Sequence, residues 1–128
     1  MYRKTYVEIN IDNLKNNVKN IINYYNNYDY YFGVVKGNCY GHGVTNTINE
    51  LIDSGINYLA VSTLEEALEA RNINKKIPIL CLEPIGLEYI DICIKKILPT
   101  NIVNIIPLLK FGNKVVESKI GMKLMKMQ

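Results

Sequence analysis

Short apolar runs alternate along this chain with stretches in which apolar residues recur every three or four positions. Three of the runs have the length of strands, namely Tyr30–Val35, Tyr58–Ser62 and Ile77–Leu82. The stretches between them carry apolar stripes at helical spacing. Strands that alternate with helices in this way are typical of βαβ units with right-handed crossovers. The sequence therefore predicts an α/β protein built around a parallel sheet.

The first part of the chain predicts a strand followed by a helix. Residues Tyr6–Ile11 alternate apolar and polar side chains, as a half-exposed strand does. Asp12 is placed to cap the helix that follows. One buried stripe of that helix is predicted to contain Leu14, Val18, Ile21 and Ile22.

The later helices carry clearer end signals. Gly55 is placed to end a helix in a left-handed conformation. Thr63 and Glu66 have the spacing of a capping box, which predicts a helix over residues 64–72. The apolar run Tyr30–Val35 is nearly continuous, which favours a strand covered on both faces. Two further apolar helical faces are predicted, one with Val44, Ile48, Leu51 and Ile52, the other with Leu87, Ile90 and Ile94.

Composition and charge exclude several classes of protein. The 128 residues fit one domain, and 48% hydrophobic residues are enough for a core. No window has the roughly 18 apolar residues of a membrane helix, and no signal peptide is recognised, so a cytoplasmic protein is expected. Three widely spaced cysteines without a C-x-x-C pair argue against a zinc site or a disulfide framework. No metal is predicted.

The charge divides the chain at about residue 97. Residues 1–97 carry ten lysines and arginines against eleven acidic residues, whereas residues 98–128 carry five lysines against one glutamate. The periodicity also ends there. We therefore interpret residues 98–128 as an unassigned basic tail. Nucleic-acid binding is not expected, because no aromatic residue follows Phe111 to stack on a base.

The segment from Val34 to Gly43 is the most informative for function. A buried strand carries Lys36 at its carboxyl end, and three glycines follow within seven residues. Ligands of α/β sheets and barrels bind beyond the carboxyl ends of the strands. Glycines permit close backbone approach, and the helix beginning near Val44 offers an N-terminus to an anion. A partly desolvated lysine in this place is a candidate amine nucleophile, although a solvated lysine at a strand end is the commoner case.

This segment, Val-Val-Lys-Gly-Asn-Cys-Tyr-Gly-His-Gly, resembles the V-V-K-A-N-A-Y-G-H-G signature of the alanine racemases. The two departures, Gly37 and Cys39, are small residues in place of alanine. Further similarity lies in residues 6–9, 59–67 and 79–82, so that the resemblance covers about residues 3–97. It implies the N-terminal part of a (β/α) TIM-type barrel of PLP fold type III, with three to four βα units in place of the eight of a complete barrel.

The resemblance also implies a chemistry. Lys36 would form the Schiff base with pyridoxal 5'-phosphate (PLP) and act as one of two catalytic bases, and Tyr40 would hydrogen-bond the cofactor phosphate. The reaction would interconvert L-alanine and D-alanine and supply D-alanine for peptidoglycan, and the intact family enzyme is a homodimer. The second base, a tyrosine, and an arginine near the pyridine nitrogen have no counterpart, because the last tyrosine is Tyr89 and the arginines are Arg3 and Arg71.

The histidine and the cysteines have structural rather than catalytic interpretations. His42 is expected to hydrogen-bond or pack within its loop rather than to catalyse, and the three cysteines are expected to be small apolar fillers. We interpret the chain as a truncated or frame-shifted racemase, too short for turnover alone. Its unpaired sheet edges predict aggregation or molten behaviour. The alternatives are a related racemase acting on serine, or a non-catalytic fragment.

Overall fold

The computed structural model of the chain describes residues 5–97, and within them a three-stranded sheet is covered by helices on one face. Strands β1 (Phe32–Val34), β2 (Tyr58–Val61) and β3 (Ile79–Cys81) lie in the order β1-β2-β3. Both pairs are parallel, and Val34, Ala60 and Leu80 share one register position. The predicted parallel sheet is confirmed, and the strands predicted at Tyr30–Val35, Tyr58–Ser62 and Ile77–Leu82 each contain an observed one.

Helices connect the strands as the alternation predicts. Helix α1 (Ile11–Tyr24) precedes β1. The short turn α2 (Lys36–Tyr40), whose backbone is left-handed, and helix α3 (Val44–Asp53) follow β1, and helix α4 (Leu64–Ile73) follows β2. Beyond β3 the chain forms a 3₁₀ turn at Leu87–Tyr89, the short helix α5 at Ile90–Ile92 and a π-helical turn at Cys93–Ile97. The apolar face predicted for this last helix consists of side chains outside the described part, as does the predicted tail at 98–128.

Helix α4 begins as the sequence predicts. The Thr63 hydroxyl accepts a hydrogen bond from the Glu66 N–H at 3.3 Å, and the Glu66 carboxylate in turn accepts one from the Thr63 N–H. The capping box is therefore confirmed. Gly55, just beyond α3, has a φ of +114°, and the backbone N–H of the cap residue Ser54 bonds the carbonyls of the last turn.

The start of the chain differs from the prediction. Residues 5–10 form no strand, and Tyr6 and Val7 are 76% and 81% exposed. Alternation alone does not make a strand, since a strand needs a neighbour to complete its ladder, and none of the described strands lies beside these residues. The predicted cap at Asp12 is also wrong. Asn10 caps α1 by accepting the Asn13 N–H at 2.9 Å, and Asp12 lies in the first turn.

Helix α1 lies at the margin of the core. Leu14, Val18 and Ile22 are half-buried, while Ile21 is exposed, so the predicted buried stripe is only partly buried. The Lys15 ammonium contacts the Glu50 carboxylate at 2.7 Å and joins α1 to α3. That partly exposed pair adds little to stability, so α1 is held mainly by the apolar contacts of Leu14 and Val18 with the core.

The two faces of the sheet differ in burial. One face packs under α3 and α4, and its side chains are fully buried: Val35, Leu59, Val61, Ile79 and Cys81. On the other face Phe32 and Val34 remain 45% and 41% exposed. The prediction that the first apolar run is covered on both faces is therefore wrong. Coverage depends on elements that the run itself does not specify. On this same face Tyr58 and Ala60 of β2 are buried, so it is the part at β1 that the described residues leave partly exposed.

Candidate functional site

The segment after β1 forms one turn of left-handed backbone. Gly37, Asn38 and Cys39 have φ values of 58°, 54° and 56°, with ψ between 45° and 47°, and Tyr40 has a φ of 52°. Left-handed backbone costs a non-glycine residue about 1–2 kcal/mol because Cβ approaches the next carbonyl oxygen. Three consecutive non-glycine residues in this conformation must therefore be held by surrounding contacts.

Some of these contacts lie within the segment itself. The Cys39 N–H donates to the Val35 carbonyl at 2.9 Å, and the Cys39 side chain is buried in the core. The Asn38 Oδ1 accepts the Val44 N–H at 3.0 Å, which joins the turn to the first residue of α3. The His42 Nδ1 lies 3.0 Å from the Cys39 carbonyl oxygen. The role predicted for His42, a hydrogen bond within its loop, is confirmed.

This loop provides acceptors for some of the backbone N–H groups at the N-terminus of α3. The Val44 N–H donates to the Asn38 Oδ1, and the Asn46 N–H donates to the Gly43 carbonyl at 3.3 Å. The Thr47 hydroxyl donates to the same carbonyl at 2.7 Å. An anion at this terminus, which the sequence suggested, would have to share it with the Asn38 side chain. The N-terminus of α3 therefore helps to fix the left-handed turn through its hydrogen bond with the Asn38 side chain.

Two glycines end the turn in open surroundings. Gly41 and Gly43 have φ values of 86° and 88°, and among the described residues, apart from the adjoining ones, no heavy atom lies within 4 Å of the position that a Cβ would take at either. These φ values are unfavourable for any side chain. The open space beside them leaves the backbone accessible to a bound molecule, as the three-glycine pattern predicts.

Glu66 links the turn to the neighbouring strand. Its Oε1 accepts the Gly37 N–H at 2.7 Å, and its Oε2 accepts the Ser62 N–H at 2.8 Å. Partial burial raises the pKa of Glu66. The hydrogen bonds from Gly37, Ser62 and Thr63 and the charge of Lys36 outweigh that effect and lower the pKa overall. Sequence reasoning assigned Glu66 to the capping box alone and missed its contact with Gly37, 29 positions away.

The two predicted site residues, Lys36 and Tyr40, lie at the first and last positions of α2. Lys36 directly follows the buried Val35 at the carboxyl end of β1 and is half-buried. Tyr40 is 63% exposed. The fold thus brings an amine and a phenol into one turn at the sheet edge where α/β proteins bind their ligands.

Comparison with known proteins identifies the family of the chain. The family model described as "Alanine racemase, N-terminal domain" matches residues 9–105. The chain belongs to this family. The family resemblance seen in the sequence is thereby confirmed.

Curated relatives agree with this assignment. Alanine racemase 1 of Bacillus subtilis (strain 168) is 38% identical over 91 residues, which is 71% of this chain and 23% of the relative. The alanine racemase of Clostridium kluyveri is 34% identical over 114 residues, 89% of this chain and 28% of the relative. The chain therefore spans about a quarter of the length of the curated relatives it matches.

Solved alanine racemases share the fold. The crystal structure of the Bacillus anthracis enzyme, determined with bound L-Ala-P, matches with a TM-score of 0.67 and 36% identity. The match covers 73% of this chain and 24% of that one. A structure from Clostridium difficile 630 gives the same TM-score at 34% identity, over 75% and 25% of the two chains. The three parallel strands and their helices are thus part of the barrel of an alanine racemase N-terminal domain, as predicted.

A cavity of about 410 Å³ lies beside the turn in this alanine racemase domain. Its walls come from α1, β1 and the loop, and they are mainly apolar. Tyr40 and His42 line it at the loop, and Phe32 and Val34 line it at the exposed face of β1, whereas Lys36 does not border it. Tyr40, the last residue of the turn that begins at Lys36, therefore borders the cavity.

The cysteines of the domain are buried and free. Burial raises the pKa of the Cys81 thiol to about 11, and the Cys81 thiol donates to the Ser62 carbonyl at 3.2 Å. Burial also raises the pKa of Cys93. A thiol with a raised pKa is a poor nucleophile at neutral pH, which applies to Cys81 and Cys93. All three cysteines are buried, as the prediction of small side chains that fill the core requires. A separate property concerns membranes: within residues 5–97, every helix lacks the length and apolar character of a membrane span.

Proposed function

We propose that this chain is the N-terminal portion of a PLP-dependent racemase that interconverts L-alanine and D-alanine. The observation that carries the proposal is the position of Lys36, a half-buried lysine that leaves β1 directly into a held left-handed turn. The family to which the chain belongs supports the reaction, because its relatives are named alanine racemases.

The residues of the turn fit PLP. Lys36 offers an amine for the cofactor aldehyde, and the exposed Tyr40 offers a phenolic O–H for its phosphate. The open space at Gly41 and Gly43 leaves room for a group to lie against the backbone. Lys36 and Tyr40 are therefore the residues proposed to hold the cofactor. Bound PLP supplies an electron-withdrawing ring that acidifies the Cα–H of an attached amino acid.

Within this proposal the side chains have separate roles. The Lys36 amine would take or return the Cα proton at Nζ on one face of the substrate. The Tyr40 O–H would donate a hydrogen bond to the phosphate of the cofactor. Glycine backbone at 41 and 43 leaves the approach to that phosphate unobstructed.

Two further groups are required, and they are proposed to come from outside the described residues. Racemisation needs a base on the opposite face of Cα, and the family places an arginine beside the pyridine nitrogen. Arg71 does not fill that place, because it is buried and its Nη1 donates to the carbonyls of Asn74 and Ile77. Those carbonyls precede β3, at the end of the sheet opposite to Lys36.

The wider role follows from the proposed reaction. We propose that the intact enzyme is a cytoplasmic homodimer that acts on alanine and supplies D-alanine for peptidoglycan. Family membership supports these points, and the described residues add Lys36, a half-buried residue whose side chain carries the amine that the reaction requires.

Reductive trapping tests the proposal. The full 128-residue chain is mixed with PLP, treated with borohydride and mapped by peptide mass spectrometry, which locates the labelled lysine. Label is expected at Lys36, and it is expected to disappear in Lys36→Ala but to persist in Lys19→Ala, a matched change at an exposed lysine of α1. Equal labelling of all lysines would contradict the proposed cofactor site. A coupled D-alanine assay on the intact protein then tests turnover.

A further inference from the structure

The Glu66 carboxylate makes a contact that helix capping does not require. A capping box needs the N3 carboxylate to accept N–H groups at the start of its own helix, and Oε2 does this for Ser62 and Thr63 at 2.8 and 3.3 Å. The second oxygen, Oε1, turns away from the helix and accepts the Gly37 N–H at 2.7 Å.

We propose that Glu66 is the positioning residue for Lys36: through its contact with Gly37 it holds the left-handed turn that carries the lysine. This inference rests on the proposed function, because it gives Glu66 a role only if Lys36 is the reactive amine. Glu66 itself is not proposed to touch substrate or cofactor.

The contact acts on the peptide group next to the lysine. The Gly37 N–H belongs to the peptide plane that joins Lys36 to Gly37, so a hydrogen bond to this N–H fixes the orientation of that plane. Gly37 is also the first left-handed residue, with a φ of 58°. Glu66 therefore restrains the backbone where it changes from strand to left-handed turn, and this restraint sets the direction in which the Lys36 side chain leaves the sheet.

Only a carboxylate with the reach of glutamate satisfies all of these donors. The two oxygens accept N–H groups from the carboxyl ends of two neighbouring strands, Gly37 after β1 and Ser62 after β2. Glutamine would place an NH₂ group against one of these N–H donors. Aspartate would keep the negative charge near the N-terminus of α4, but it is one methylene shorter and would not reach both strand ends.

The electrostatic surroundings support this role. The titratable groups that face Glu66 are Lys36 from the end of β1 and Cys81 from β3. The positive charge of Lys36 and three backbone N–H groups favour the ionised carboxylate. Glu66 is therefore charged, and able to hold the turn, throughout the neutral range in which the reaction would proceed.

The first experiment measures the contact without any cofactor. In the full chain, the amide proton shifts of Gly37 and Ser62 are followed by NMR as the pH is lowered. Both are expected to move together through one titration with a midpoint below 4.5, the ordinary value for glutamate. The shared titration is expected to vanish in Glu66→Gln and to remain in Glu65→Gln, a matched change at the exposed neighbouring glutamate. A Gly37 amide that does not titrate with Ser62 in the unmodified chain would overturn the inference.

The second experiment measures the consequence for Lys36. The lysine amine attacks the PLP aldehyde carbon, water leaves, and borohydride reduces the resulting imine to a stable secondary amine. The rate of labelling at Lys36 is expected to fall about tenfold in Glu66→Gln. A change of this size corresponds to the free energy of one hydrogen bond to a charged acceptor. Glu66→Asp is expected to retain more helix stability than Glu66→Gln but to lose a similar part of the labelling rate. Glu65→Gln is expected to label like the unmodified chain.

The outcomes separate the two proposals. Absence of label at Lys36 in the unmodified chain would refute the proposed function, whatever Glu66 does. Label at Lys36 that forms equally fast in Glu66→Gln, with circular dichroism unchanged, would leave the proposed function standing and overturn the positioning role. If Glu66→Gln does not fold, the amide titration of the unmodified chain decides.

Discussion

The Asn38 side chain caps α3 from six residues upstream: its Oδ1 accepts the Val44 N–H at 3.0 Å, while its own backbone is left-handed with a φ of 54°. One residue thus contributes both to the turn after Lys36 and to the start of the next helix. Asparagine suits this position because its short amide tolerates left-handed backbone better than most side chains do.

Replacing Asn38 separates these two contributions. Asn38→Ala removes the cap and is expected to lower the free energy of unfolding by about 1 kcal/mol for the lost cap, with a further loss of up to about 1 kcal/mol because alanine tolerates left-handed backbone poorly. Asn38→Gly loses the cap but relieves the backbone strain, so its destabilisation is expected to be smaller. Urea unfolding measures both variants, with Asn16→Ala at an exposed position of α1 as the control. A larger loss in Asn38→Gly than in Asn38→Ala would contradict this account.

The pH dependence of stability reports on Glu66. Its pKa is lower in the folded chain than the ordinary value of 4.5, so its contribution to stability is fully present above pH 4.5. That contribution is lost as the pH falls through the lower, folded-state pKa, because the unfolded chain then binds the proton more readily. Unfolding free energies measured below pH 4.5 are expected to fall less steeply in Glu66→Gln than in the unmodified chain. An identical slope in the two proteins would argue against a lowered pKa at Glu66.

The opposite sign is expected for Cys81. Burial raises its pKa from 9.0 to about 11, so the folded chain favours the neutral thiol. Its contribution to stability is complete below pH 9.0 and is lost as the pH rises toward about 11. At pH 8 we expect iodoacetamide to modify Cys81 far more slowly in the folded chain than in urea, as read by peptide mass spectrometry. Equal rates in the two conditions would show that the thiol is not protected.

Much of the fold follows from local sequence signals, and these predictions held. The strand at Tyr58–Val61 is a short apolar run between a glycine-containing turn and a capping box, and the structure has it with nearly the predicted bounds. The capping box of Thr63 and Glu66 depends on residues three apart. Each of these signals depends only on residues that are close together in the sequence, so it does not require knowledge of tertiary contacts.

The predictions that failed depend on distant neighbours. The alternation in Tyr6–Ile11 resembles a strand, but no described strand pairs with it. The apolar run around Phe32 gives no indication of how many faces will be covered. The contact between Glu66 and Gly37 joins two segments only because β1 and β2 are adjacent in the sheet. The glycines predicted close approach of the backbone to a ligand after Lys36, but not that three residues with side chains would have left-handed backbone there.

The exposed face of the sheet predicts self-association of the chain. Phe32 and Val34 leave apolar surface uncovered on β1, and within residues 5–97 this strand pairs only with β2, so one of its edges is open. Uncovered apolar surface beside an open strand edge promotes pairing with other chains. Val34→Lys places a charge on this face and is expected to reduce association measured by sedimentation velocity over a range of concentrations. Val7→Lys, a matched change at an exposed valine outside the sheet, is expected to leave association unchanged. A chain that stays monomeric without either change would show that this face is covered, and an equal effect of both changes would show that added charge, rather than the sheet face, governs association.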